Sequence, residues 1–153
     1  MMTKLLFVCL GNICRSPTAE GAMRDLLNRK GLSERFELDS AGTGDWHLGE
    51  APDARAQAAC RRAGFDISML RSRLVREDDF YHFDLILACD KNNLSDLKRL
   101  APADATARIE LLMSFAGMPG VEVVPDPYYG SDKDFDRTVA YCQSACNGLL
   151  DSL

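Results

Sequence analysis

Short apolar runs alternate with amphipathic stretches along the whole chain. Residues 4–9 (KLLFVC) are almost continuously apolar, the pattern of a strand buried on both faces of a parallel sheet. A tight loop follows over 11–15. Ser16, as an N-cap, and Pro17, at the first helical position, then open a helix that carries Ala19, Met23, Leu26 and Leu27 at helical spacing and stops at Gly31. Residues 36–41 read as a second strand, 42–52 as a glycine-rich loop containing Trp46, and 53–64 as a helix. A third strand is predicted over 83–89 and a helix over 92–100, ending before Pro102. A short fourth strand follows over 109–113, then a stretch that is mostly loop over 117–130. The last helix spans 134–150, with Phe135, Val139, Cys142, Cys146 and Leu149 along one face. Strands alternating with helices predict a small doubly wound α/β domain of about four parallel strands with helices on both faces. In such folds ligands bind beyond the carboxyl ends of the strands, so the loop after the first strand is the place to look for chemistry.

Composition narrows this picture. A chain of 153 residues with 46% hydrophobic and 27% charged content is expected to form one compact domain, residues 1–153. The net charge of −5 argues against a nucleic-acid binder or an anionic-membrane binder, though not against a small cationic pocket. The apolar stretch over 5–10 is too short for a membrane span or a secretory core, which leads to the expectation of a cytoplasmic protein with reduced thiols. Six cysteines at 9, 14, 60, 89, 142 and 146 lack paired metal-ligand spacing, so no zinc site is expected. Cys142 and Cys146 read as small apolar residues of a buried helix face.

The loop Cys9-Leu10-Gly11-Asn12-Ile13-Cys14-Arg15-Ser16 lies between a strand and a helix N-terminus. Successive backbone N–H groups in a tight turn form an anion-binding nest, and the helix adds its positive end. Gly11 and Asn12 tolerate the left-handed conformations that such a turn demands. Arg15 offers a bidentate fork for two phosphate oxygens, which a lysine does not match. The same features favour a thiolate at Cys9 and make it a nucleophile at neutral pH. Far along the chain, Pro125-Asp126-Pro127-Tyr128-Tyr129 holds a carboxylate in a stiff loop followed by two aromatics, which by itself reads as a turn.

The run from Cys9 to Pro17 resembles, residue for residue, the active-site loop of the low-molecular-weight protein tyrosine phosphatases, and Asp126-Pro127-Tyr128-Tyr129 is similar to the family's acid element. The resemblance extends over essentially the whole chain, including weaker signals at Asp39-Ser40-Ala41-Gly42, Pro52-Asp53-Ala54-Arg55-Ala56 and Ala88-Cys89-Asp90. It implies a nucleophile at Cys9, a phosphate-gripping Arg15, an Asn12 that props the loop and a Ser16 hydroxyl near the thiolate. It also implies a general acid/base at Asp126 and a Cys14 able to form a reversible disulfide with Cys9. Leu10, Gly11, Asn12, Ile13, Cys14 and Ser16 would surround the phosphate. The implied reaction is hydrolysis of phosphotyrosine on a protein or peptide, with inorganic phosphate as product and no metal or cofactor.

Trp46, Tyr128 and Tyr129 are aromatic candidates for cleft walls that suit a phenyl phosphate, with a surface indole the other reading of Trp46. Relatives that act on phosphoarginine tend to place Thr where this chain has Ile13, so the resemblance favours phosphotyrosine. His47 and His82 read as exposed polar contacts. Arg71, Arg73 and Arg76 read either as a steering patch for acidic peptides or as a solvated face. The alternative enzyme on the same fold is a thiol-dependent arsenate reductase. It would need two further cysteines on a mobile segment, and Cys60 and Cys89 are poor candidates because they lie far apart in sequence and Cys89 ends an apolar strand.

Overall fold

The computed structural model describes residues 2–153. Its sheet contains β1 (Thr3–Cys9), β2 (Phe36–Gly42), β3 (Leu85–Ala88) and β4 (Arg108–Leu111), all parallel, in the order β2-β1-β3-β4. The helices are α1 (Arg15–Lys30), α2 (Ala54–Arg62), the single turn α3 (Asp79–His82), α4 (Lys91–Leu100) and α5 (Asp132–Ser152). The pleat of β1 divides the core in two. Leu5, Phe7 and Cys9 join Leu85 and Leu87 against α1, α2 and α5. Leu6 and Val8 join Ile86 and Ala88 against Phe80 of α3 and Leu97 of α4. Each large side chain buried this way contributes roughly 1.5–3 kcal/mol. This explains why β1 and β3 carry unbroken apolar runs rather than alternation.

Strand order reverses between β1 and β3, so the crevice of this doubly wound sheet opens above the carboxyl ends of those two strands. Cys9 ends β1, and Cys89-Asp90 follows β3 directly.

The element boundaries depart from expectation in ways that matter for the site. Helix α1 begins at Arg15, with Cys14 rather than Ser16 at the N-cap and no side-chain cap bond there. Pro17 is therefore the third helical residue, which is tolerated because N–H groups of the first turn have no intrahelical partner. Ser16 cannot cap because its hydroxyl is engaged with the loop behind it. Strand β3 is shorter than the apolar run, and β4 gives way at Leu112 to a 3₁₀ turn (Leu112–Phe115). Helix α3 had no periodic signal in so short a segment. Helices α4 and α5 each begin earlier than expected, behind capping boxes at Asp90/Asn93 and Ser131/Asp134.

Candidate active site

Asn12 has a left-handed backbone (φ 57°), the single non-glycine residue with positive φ among the described residues. Its side chain is held on three sides, and the partners fix its orientation. The backbone N–H of Arg73 donates to Oδ1 at 3.0 Å, so the amide NH₂ faces the other way, toward Ser16 Oγ (2.7 Å) and Ser40 Oγ (3.0 Å). Ser16 Oγ, already accepting from Asn12, lies 3.0 Å from Cys9 Sγ and 3.4 Å from the Ala41 carbonyl, so its single proton can go to the closer sulfur or to that carbonyl. The neighbouring strand must come close for this to work. A Cβ on Gly42 would sit 2.6 Å from the Leu10 carbonyl oxygen, so only glycine fits there.

The backbone N–H groups of Gly11, Asn12, Ile13 and Cys14 donate to no acceptor among the described residues, although Asn12 to Cys14 are buried. Successive unused amides at a helix N-terminus make a nest for an anion. Arg15, 3% exposed, completes it. Its Nη1 donates to Asp90 Oδ2 at 2.6 Å and to the Val124 carbonyl at 3.0 Å, which leaves the Nε–Nη2 edge without a hydrogen bond among the described residues. That edge is the fork a phosphate would occupy. Burial alone would weaken the charge on Arg15, but Cys89, Cys9 and the bond to Asp90 more than reverse this and hold it cationic. Asp126 Oδ2 stands 3.7 Å from Arg15 Nη2, with its side chain about half exposed.

These groups open into one cleft of about 400 Å³ lined by Cys9, Leu10, Gly11, Ile13, Cys14, Arg15, Asp126, Trp46, His47, Tyr128 and Tyr129. Tyr128 and Tyr129 meet edge to face, with centroids 4.9 Å apart. Trp46 is 68% exposed and Tyr129 96%, so both stand at the rim, while Tyr128 is partly buried in the wall.

A family model of the low-molecular-weight phosphotyrosine protein phosphatases matches residues 4–153. The chain belongs to this family. It is therefore a phosphoric monoester hydrolase of the protein-tyrosine-phosphatase type. The human low molecular weight phosphotyrosine protein phosphatase is 41% identical over 149 residues, covering 96% of this chain and 93% of that one. A crystal structure of a protein tyrosine phosphatase from Entamoeba histolytica, with Hepes in its active site, superposes with a TM-score of 0.93 at 38% identity, over 98% of this chain and 96% of that one. A Drosophila arginine phosphatase superposes equally well (TM-score 0.93) at 33% identity, over 98% of this chain and 97% of that one.

The cleft thus gathers all the residues expected from the sequence to meet phosphate or substrate except Asn12 and Ser16, which sit behind it as supports. Two residues of the site were not foreseen in it. His47 is not a plain surface contact: it lines the cleft, with Nδ1 2.8 Å from Glu50 and its ring over Gly11. Asp90 serves two helices, one oxygen capping α4 at Asn93 N (2.7 Å) and the other gripping Arg15. An Asp before a helix signals the cap in sequence, but nothing local signals a partner 75 residues away. His82 is exposed as expected, against Glu37. Arg73 is no steering residue. It is ion-paired with Asp79 (2.9 Å) and Asp39 (3.0 Å), which fixes the backbone that holds Asn12.

All six cysteines of the phosphatase are free and buried. Burial lifts the thiol of Cys60 to about 11 and that of Cys146 to about 12, and pushes Cys89 and Cys142 well up. Cys14 is also held well above the ordinary thiol range, by burial first and then by the negative charge of Asp53, Cys9 and Asp126. Among the described residues, no three His, Cys, Asp or Glu side chains converge closely enough to hold a metal ion, and no helix is long and apolar enough to cross a membrane.

Proposed function

We propose that this phosphatase hydrolyses phosphotyrosine in proteins or peptides by double displacement on Cys9. The carrying observation is that Cys9, the free edge of Arg15 and Asp126 line one cleft, over a loop whose amides are unused. The Cys9 thiolate attacks phosphorus while Arg15 and the loop amides hold the equatorial oxygens, where charge accumulates in the transition state. The ester P–O bond breaks, and Asp126 gives its proton to the departing phenolic oxygen. Asp126 then takes a proton from the water that attacks the phosphocysteine. Inorganic phosphate leaves, and the returning thiolate is met by the Ser16 hydroxyl. Arg15 and the amides supply the charge stabilisation, so the scheme calls for no metal or cofactor.

The Tyr128 wall and the apolar Ile13 floor suit a phenyl ring, which favours phosphotyrosine over the phosphoarginine named for the Drosophila neighbour. Arsenate reduction is disfavoured because Cys60 and Cys89 are buried in the core, where a thiol relay would not reach them. Cys14, a neutral thiol in the same cleft, is the partner for a reversible disulfide with Cys9 under peroxide. A catalytic thiolate also suits the reducing cytosol, and we place the enzyme there as one domain, with no nucleic acid or membrane as partner.

Hydrolysis of p-nitrophenyl phosphate with thiol reductant and EDTA, beside Cys9→Ser, tests the reading. Turnover should fall at least ~10³-fold in the variant while phosphate still binds. Turnover near that of the unmodified protein would refute the nucleophile.

A further inference from the structure

Asp53 and Arg55 belong to a stretch that the proposed chemistry leaves unused, yet they stand between the two loops that make the site. The Asp53 N–H donates to the Ile13 carbonyl at 2.8 Å, fastening the start of α2 to the phosphate loop. Asp53 caps α2 by accepting from Arg55 N (2.8 Å), and it takes the Arg55 guanidinium in a bidentate grip, from Nε at 3.1 Å and Nη2 at 3.0 Å. Held this way, the guanidinium lies against two aromatic rings. Its Cζ is 5.4 Å from the centroid of Tyr128 and 4.6 Å from that of Phe135 on α5. The N–H of Tyr128 in turn donates to Asp126 Oδ1 at 3.1 Å, while the other oxygen of Asp126 faces Arg15.

An unbroken chain of contacts therefore runs from Ile13 through Asp53, Arg55 and Tyr128 to Asp126. Arg15 holds the entry of the acid loop at Val124, and Gly130 closes the loop on itself by donating to Pro127. Arg55 is the tie on the Tyr128 side, where Asp126 is otherwise about half exposed. It does not line the cleft, so it acts through Tyr128 and Asp126 and not on substrate.

We infer that Arg55 is a positioning residue that locks the Asp126 loop to the phosphate loop and sets the carboxyl for proton transfer to the leaving group. The inference rests on the reading of Asp126 as the acid. The job needs arginine: a planar cation can meet Asp53 with two donors and lie against aromatic faces, whereas a lysine ammonium can do only part of this.

The test compares kcat/KM for phenyl phosphate and dinitrophenyl phosphate in the unmodified enzyme, Arg55→Met, Arg55→Lys and Asp126→Ala. The inhibition constant of inorganic phosphate is measured for each. Both esters are aryl, so any change in ring packing affects them alike, and only phenol needs a proton to depart well. Arg55→Met should lose roughly 30-fold on phenyl phosphate and less than about 3-fold on the dinitrophenyl ester, with phosphate inhibition within about 2-fold. Arg55→Lys should recover only part of the loss. Equal losses on both esters, a complete rescue by lysine, or weakened phosphate inhibition in both Arg55 variants would overturn the positioning role. Asp126→Ala separates the two levels. If it shows no leaving-group preference, the acid assignment falls and the inference falls with it. If it shows one while Arg55→Met keeps the unmodified ratio, the inference alone is wrong.

Discussion

The loop after β1 and the loop before α5 meet over the same cleft but are held there by different means. Between Cys9 and Ser16 nearly every side chain is buried, and Asn12 alone joins three segments far apart in sequence. The segment around Asp126 is open to solvent, with Tyr129 almost wholly exposed, and depends on Arg15 at one end and Arg55 at the other. The tasks proposed for them account for the contrast. A phosphate must find its donors already in place, because reorganisation during the reaction would cost the stabilisation they provide. An acid must reach a leaving group, release it and then serve a water, and a loop on few anchors allows that. Damage to the phosphate loop should therefore reduce activity on every substrate alike, whereas damage to the acid loop should depend on the leaving group.

The sharpest way to break that contrast is Arg15→Lys. The lysine keeps a charge but lacks the fork, and it cannot satisfy Asp90 and Val124 while presenting two donors to phosphate. kcat/KM should fall roughly 10²–10³-fold on phenyl and dinitrophenyl esters equally, with weaker phosphate inhibition. A loss confined to poor leaving groups would mean that Arg15 acts mainly by holding Asp126, and the two loops would then be one device.

A smaller effect separates the two roles of Asn12. Asn12→Gly keeps the left-handed backbone and removes the hydrogen bonds, and should cost roughly 10-fold in kcat/KM. Asn12→Ala removes the same bonds and also strains the backbone at φ 57°, and should cost roughly 100-fold. Equal losses in assays with p-nitrophenyl phosphate would show that the loop keeps its turn without help from residue 12.

The same contrast governs how much could be read from the chain. The phosphate loop was legible because its parts are contiguous: strand, glycine turn, arginine and helix start follow in eight residues, and the physics of each is local. The two central strands, β1 and β3, were legible because burial on both faces leaves an unbroken apolar run, while the edge strands β2 and β4 carry charged residues and gave weaker signals. Asp126 was only a turn residue on local grounds, since the contact that supports an acid role for it, Arg15 at 3.7 Å, lies across the fold. His47, Asp90 and Arg55 share that difficulty. Each is chosen by a partner brought near by the topology, and no spacing announces it. Ser16 was misplaced as a cap for a related reason, because a hydroxyl at a helix start can turn toward the helix or away from it, and only the loop behind it decides.

Rigidity around the phosphate loop does not mean that every buried group there stabilises the protein. Glu20, on α1 four residues beyond Ser16, is 2% exposed, and its Oε1 has no hydrogen-bond partner. Burial pushes its carboxyl above the ordinary range. The bond from Arg24 (2.7 Å) and the nearby Ser40 hydroxyl offset part of the shift, and the charge of Asp39 adds to it. A carboxyl raised in the folded state holds its proton more tightly there than in the unfolded chain. Its contribution to stability is therefore present below the ordinary glutamate range and is lost as pH rises through the folded value. At neutral pH the charge on Glu20 thus weakens the fold. Glu20→Gln should raise stability by about 1 kcal/mol at pH 7, a Tm increase of about 3 °C, with the gain shrinking as pH falls through the raised folded value of Glu20 and gone below about pH 4, where glutamate is protonated in both states. Thermal unfolding of both proteins across that range gives the answer. A variant less stable at pH 7 would mean that the Arg24 ion pair outweighs the burial of the charge, and that the region behind the loop is as fully satisfied as the loop itself.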